Sequence, residues 1–246
     1  MITNLPNELL LGILYHLDDL TPVSSSSRTF NTFVRDYQAS QFRSRLSRLP
    51  NAELLISIWS PPTFFPSRHS RHRSHSYHTT TPRVITSQSD LLNLLGDPSS
   101  SLIPRLDAYL SSLERRSQIA SRVASHLQRL LSFRVIAPHS HSAQSAFAEQ
   151  VVIRLWSAQQ RYSHDPDGYI DHLPAIAFES FAAREPVLTG LEESMRRWVV
   201  EAYVVLSVKL KLPFAPHEQG RVGLWLWRMI VRGGMEDVLN MLERRV

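Results

Sequence analysis

The stretch Leu5-Pro6-Asn7-Glu8-Leu9-Leu10-Leu11-Gly12-Ile13-Leu14-Tyr15-His16-Leu17 decides how the rest of the chain is read. Pro6 suits a first helical position, where its missing N–H would have lacked a partner anyway, and Glu8 sets negative charge beside the positive end of the helix dipole. The spacing therefore predicts a helix from Pro6. Leu9, Leu10, Ile13, Leu14 and Leu17 form one broad stripe, and Leu11 and Tyr15 add apolar area on a neighbouring face. Each large side chain removed from water contributes about 1.5–3 kcal/mol. A short helix that is apolar on adjoining faces is thus expected to bury one against its own domain and to offer another to a partner.

Asp18-Asp19 closes this helix, and Thr21-Pro22 caps and starts a second, followed by Val23 and then Ser27-Arg28-Thr29-Phe30-Asn31-Thr32-Phe33-Val34. Taken together, Leu5-Pro6, Glu8-Leu9-Leu10, Ile13, Leu17-Asp18, Val23, Ser27-Arg28-Thr29 and Phe33 resemble the F-box, a three-helix module of eukaryotic adaptor proteins, over about residues 3–49. The resemblance implies docking to the small Skp adaptor of a Skp/cullin/F-box ubiquitin ligase. Leu5, Pro6, Leu9, Leu10, Ile13 and Leu14 stand on matching positions, and Leu17 and Val23 complete the partner-binding set. It further implies an intracellular adaptor, cytoplasmic or nuclear, that recruits a protein target. The chain departs from the family at Ser24-Ser25-Ser26-Ser27, polar where apolar residues are usual, with Ser26 at the place of a leucine; the second helix is therefore expected to be weak. The plainer alternative is an amphipathic core helix of an ordinary helical domain. Two proline-started helices and the ungapped Ser-Arg-Thr continuation favour the F-box.

The 246 residues allow one large domain or two small ones, and an apolar fraction of 43% is ordinary for a globular core. Cysteine is absent, which excludes disulfides, zinc–cysteine sites, thiol nucleophiles and ubiquitin thioesters. In a ligase this chain could only recruit the transferring machinery. No apolar run reaches the ~18 residues of a membrane span, and the N-terminus carries acid where a secretory signal wants base. The net charge of +5 is uneven: residues 1–27 hold Glu8, Asp18 and Asp19 and no Lys or Arg (net −3), whereas residues 28–83 hold nine Arg against Asp36 and Glu53 (net +7). Arginine outnumbers lysine 25 to 2, a bias that coding composition explains as readily as phosphate binding does.

Phe30, Phe33, Val34, Tyr37, Phe42, Leu46 and Leu49 predict a third helix that Pro50 must end, and Asn51–Trp59 a short further one. Residues 60–83 read as a linker rich in Ser, Pro, Arg and His, too polar to repay the entropy of ordering. Within it His69, His72, His75 and His78 recur every third residue among Arg68, Arg71 and Arg73. Metal binding and nucleic-acid binding both suggest themselves. Period three leaves the imidazoles off one helical face, and the arginines repel a cation, so a solvated linker is the expectation. The chain thus divides into an F-box module and extension (1–59), a linker (60–83) and a helical domain (84–246).

In that domain Ser87-Gln88-Ser89-Asp90 resembles a capping box before Leu91, Leu92, Leu94 and Leu95, stopped by Gly96-Asp97-Pro98. A long amphipathic run from Leu102 to Leu131 follows, broken by Pro138 and His139-Ser140-His141-Ser142 ahead of a helix from Ala146 to about Tyr162. Ser163–Pro174 partly resembles a calcium loop, with Asp165, Asp167, Gly168 and Asp171 in place. Ser163 at the first position and Pro174 at the twelfth fail it, and a polar turn is expected instead. A short helix is expected from Pro174 to Arg184. Thr189-Gly190-Leu191-Glu192 reads as a capping box opening the most apolar helix, whose Met195, Trp198, Val199, Ala202, Tyr203, Val205 and Leu206 should form the hub of the core. Val222–Val231 with Trp225 and Trp227, then Met235–Leu242 after Gly233-Gly234, complete the bundle.

There is no phosphate loop, no Gly-x-Ser-x-Gly elbow, no His-Glu-x-x-His helix and no repeat of a substrate-binding solenoid or propeller. No catalytic, cofactor or metal residue is assigned, and the expectation is a non-enzymatic all-α adaptor that binds no membrane and no nucleic acid. The rivals are a nucleic-acid-associated helical protein using the Arg-rich residues 28–83, and an unrecognised helical enzyme.

Overall fold

The computed structural model describes residues 7–17, 20, 28–60, 85–95, 102–128, 141–173, 178–210 and 222–244. Among them there are eleven helices and no strand: α1 (Asn7–Tyr15), α2 (Arg28–Arg48), α3 (Ala52–Ile58), α4 (Gln88–Leu95), α5 (Leu102–Gln128), α6 (His141–Arg161), α7 (Pro166–Asp171), α8 (Phe178–Ala182), α9 (Pro186–Thr189), α10 (Glu193–Lys209) and α11 (Val222–Glu243). The all-α class follows from apolar residues recurring at helical period through every well-punctuated segment. The second F-box helix expected from Pro22, the Ser24–Ser27 run and the histidine tract lie outside the described residues.

Two compact units divide the helices, one formed by Met1–Ala52 with Pro61–Ser112, the other by Glu53–Ser60 with Leu113–Val246. Composition cuts the chain at residues 60–83, whereas packing exchanges pieces across that cut. Burial gives the reason: Leu91, Leu94 and Leu95 of α4 are taken up in the first unit, and Leu55, Ile56 and Trp59 in the second.

In the first unit α2 presents Ala39, Phe42 and Leu46 inward at spacings of three and four, and α4 packs on it. Pro50 ends α2 as expected, and Asn51 makes the turn into α3 with φ 54°, a left-handed conformation that asparagine tolerates better than most residues. The capping box ahead of α4 is reciprocal: Asp90 N–H donates to Ser87 Oγ and Ser87 N–H to Asp90 Oδ2, both at 3.1 Å. Arg45 of α2 forks onto Asp107 and, at 2.9 Å, onto Ser111 of α5.

In the second unit the hub is α6, not the expected α10. Ala148, Val151, Val152, Ile153, Leu155, Trp156 and Ala158 are all buried, a broader apolar face than any on α10, and α6 packs against both α10 and α11. On α10 only Val199, Ala202, Tyr203, Leu206 and Ser207 are buried, while Val204 and Val208 face solvent. A helix surrounded by others needs apolar residues all round, and one at the periphery only along a stripe.

Three boundaries differ from expectation. α6 begins at His141, inside the polar tract thought to precede it. The Asp-rich turn after α6 continues into α7, which Asp165 caps by accepting the Gly168 N–H at 2.9 Å, with Pro166 at the first position. Thr189 does not cap α10. It closes the one-turn α9, its N–H donating to Glu185 O at 2.8 Å, and α10 starts at Glu193 with no side-chain cap. The cap in this stretch serves α9 instead: Glu185, ahead of Pro186, accepts the orphan N–H of Val187 at 3.3 Å.

α11 is broken at Gly234, where φ is 70° and ψ −163°. The expected Gly233-Gly234 interruption is therefore a kink within one run. A Cβ on Gly234 would stand 2.4 Å from Gln159 Oε1 and 2.6 Å from Trp156 Nε1, so glycine is required there by both conformation and space.

Candidate partner interface

The helix quoted at the outset forms from Asn7 to Tyr15, ending earlier than the Asp18-Asp19 stop expected of it. The His16 N–H donates to Ile13 O at 3.1 Å and the Leu17 N–H to Leu14 O at 3.3 Å. These bonds span three residues rather than four, the tightening by which a helix satisfies its last carbonyls as it ends.

What reads in the sequence as one stripe is split by the fold into two faces. Leu10 and Leu14 share one, and Leu14 is 4% exposed, in the core of its own unit. Leu9 and Ile13 share the adjoining face and are 56% and 46% exposed. Tyr15 (73%) and Leu17 (39%) are open as well. Of the residues assigned to partner binding, Leu9, Ile13 and Leu17 lie at the surface, Leu10 is half-buried, Leu14 is committed to the chain's own core, and Leu5, Pro6 and Val23 lie outside the described residues. Exposed leucine and isoleucine side by side on a nine-residue helix are not satisfied by anything else among the described residues.

A polar cluster in the second unit escaped the sequence reading. Glu185, buried, accepts the hydroxyl protons of Tyr162 and Tyr169, the latter at 2.7 Å, and the Val187 N–H at 3.3 Å. The two tyrosine rings stack with centroids 3.5 Å apart, and the Trp227 indole donates to Tyr169 Oη at 3.0 Å. Trp227 N–H donates in turn to the buried Tyr203 hydroxyl at 2.9 Å. Burial, reinforced by the hydrogen bond to Glu185 and its charge, pushes the Tyr162 phenol up to about 12, and the same causes raise Tyr169; burial raises Tyr203. All three phenols hold their protons at neutral pH, so the cluster offers no phenolate nucleophile. Its chemistry is that of a satisfied buried network, which fixes α7, α9 and α11 in register. The only advance signal was Glu185 before Pro186, a cap followed by a first-turn proline.

The would-be calcium ligands have other work. Asp165 caps α7, and Asp167 pairs with Arg232 at 2.7 Å. Among the described residues no group of three or more His, Asp or Glu is placed to hold a metal ion, and no helix is long and apolar enough to cross a membrane. Comparison with protein-family models, curated proteins and solved structures finds no match.

Proposed function

We propose that this chain is an F-box adaptor, which docks through α1 to a Skp adaptor and brings a protein target to a Skp/cullin/F-box ubiquitin ligase. The observation that carries the reading is the exposure of Leu9 and Ile13 on a helix whose Leu14 is buried. A helix that only completed its own core would turn its apolar residues inward, whereas a docking helix must keep one apolar face in each direction. The resemblance of the Leu-Pro-x-Glu-Leu-Leu sequence to the F-box is the ground for naming a Skp adaptor as the partner, and the absence of cysteine fits recruitment rather than transfer.

Co-expression with a Skp adaptor tests this directly. A stable complex is expected for the natural chain and its loss for Leu9→Asp with Ile13→Asp, because a carboxylate forced into a desolvated apolar contact is heavily penalised. Val208→Asp, an equally exposed apolar position in the second unit, serves as the control and should bind undiminished. Failure of the natural chain to co-purify, or capture of the double variant as efficiently as the natural chain, refutes the proposal.

A further inference from the structure

Between α1 and α2, within the first unit, lies an open groove of about 540 Å³ walled by Gly12 and Tyr15 on one side and by Phe33, Asp36, Tyr37 and Gln41 on the other. Three features bear on what it takes. Its lining brings three aromatic rings together around a single ionised group, the carboxylate of Asp36. Among the described residues the Asp36 carboxylate has no ion-pair or hydrogen-bond partner. Finally, Gly12 opens the floor: a Cβ there would meet nothing within 4 Å.

We propose that this groove binds an arginine side chain presented by a partner polypeptide. Aromatic faces attract a cation laid against them, and a planar guanidinium stacks on a ring while its fork reaches a carboxylate, which an ammonium cannot do as well. An anionic occupant would be repelled by the exposed Asp36 carboxylate, and a purely apolar one would leave its charge unused. The groove adjoins the Leu9–Ile13 face, Gly12 standing three residues from Leu9, but its test reads Asp36 in the uncomplexed chain, so its failure and that of the adaptor reading are distinguishable.

The test titrates the full-length chain, labelled with 3-fluorotyrosine, with an acetylated and amidated Ala-Ala-Arg-Ala-Ala peptide, and in parallel with its citrulline and lysine counterparts, following the fluorine signals. Citrulline keeps the shape and hydrogen-bonding plane of arginine without the charge. The arginine peptide should bind roughly tenfold more tightly than the citrulline peptide, about 1.4 kcal/mol, with lysine between. Asp36→Asn should erase the preference for arginine over citrulline. Gly12→Leu, whose side chain enters open space, should abolish binding of all three while leaving the helical circular dichroism unchanged. Citrulline binding as tightly as arginine, arginine binding indifferent to Asp36→Asn, or no saturable shift at millimolar peptide overturns the proposal. So does a shift confined to tyrosines other than Tyr15 and Tyr37, assigned by replacing each with phenylalanine.

Discussion

The Tyr169 hydroxyl stands 2.7 Å from Oε2 of Glu185 while accepting the Trp227 indole N–H at 3.0 Å, so one buried carboxylate reaches α11 through a phenol. Because Trp227 takes the lone pair of Tyr169, the phenol's own proton is left to donate, and both tyrosines and the Val187 N–H converge on the same acceptor. Removing the carboxylate strands the two phenol donors and, at the Val187 N–H, uncaps α9. We expect Glu185→Ala to cost about 2–4 kcal/mol, since orphaned buried donors and a lost cap each contribute about 1–2 kcal/mol. Glu185→Gln, which keeps one acceptor oxygen, should cost about half as much; urea unfolding followed by circular dichroism measures both.

The same cluster sets a pH dependence. The folded-state pKa of Tyr162, about 12, lies above its ordinary value of 10.0, so the unfolded chain loses its proton first as pH rises. The stabilisation is fully present below pH 10 and is lost between pH 10 and 12. Tyr169 and Tyr203, also raised, act in the same direction. Unfolding free energy measured across this range should fall with pH, and Tyr162→Phe should fall less steeply than the natural chain. An identical slope in the two would separate the alkaline loss from this hydroxyl.

Two glycines should respond oppositely to alanine. Gly12 is helical with open space around it, so Gly12→Ala should stabilise by about 0.5–1 kcal/mol through helix propensity. Gly234 has a positive φ, and its Cβ would collide with Gln159 and Trp156, so Gly234→Ala should destabilise by about 2–4 kcal/mol. Paired denaturant titrations decide; equal and small effects would mean that the α11 kink straightens at little cost.

Neighbouring leucines of α1 should likewise separate. Leu14→Ala deletes a buried side chain and should cost about 2–4 kcal/mol, whereas Leu9→Ala at a half-exposed position should change stability by no more than about 0.5 kcal/mol. Thermal unfolding of the uncomplexed protein measures the contrast. A large loss from Leu9→Ala would place that face in the protein's own core and remove the basis of docking through it.

The helical class, the ends of α2 and α4, the capping box at Ser87 and Asp90, and the interruption at Gly233-Gly234 were legible in the chain because each is decided by residues within one or two turns of one another: a proline that removes a donor, a serine and an aspartate three apart, a glycine pair. The surplus of apolar residues on α1 was legible for the same reason. Which of them the protein keeps for itself was not. Leu9, Ile13 and Leu14 differ little in composition or spacing, and burial of Leu14 alone depends on what packs beside it. Nor could local pattern rank α6 above α10 as the hub, assign α4 to one unit and α3 to the other, or find Glu185 between tyrosines 16 and 23 residues before it and a tryptophan donating to one of them from α11. Hydrogen bonds and burial across such separations carry no period along the chain; only the tertiary structure decides them, because they exist only once distant segments share one desolvated space.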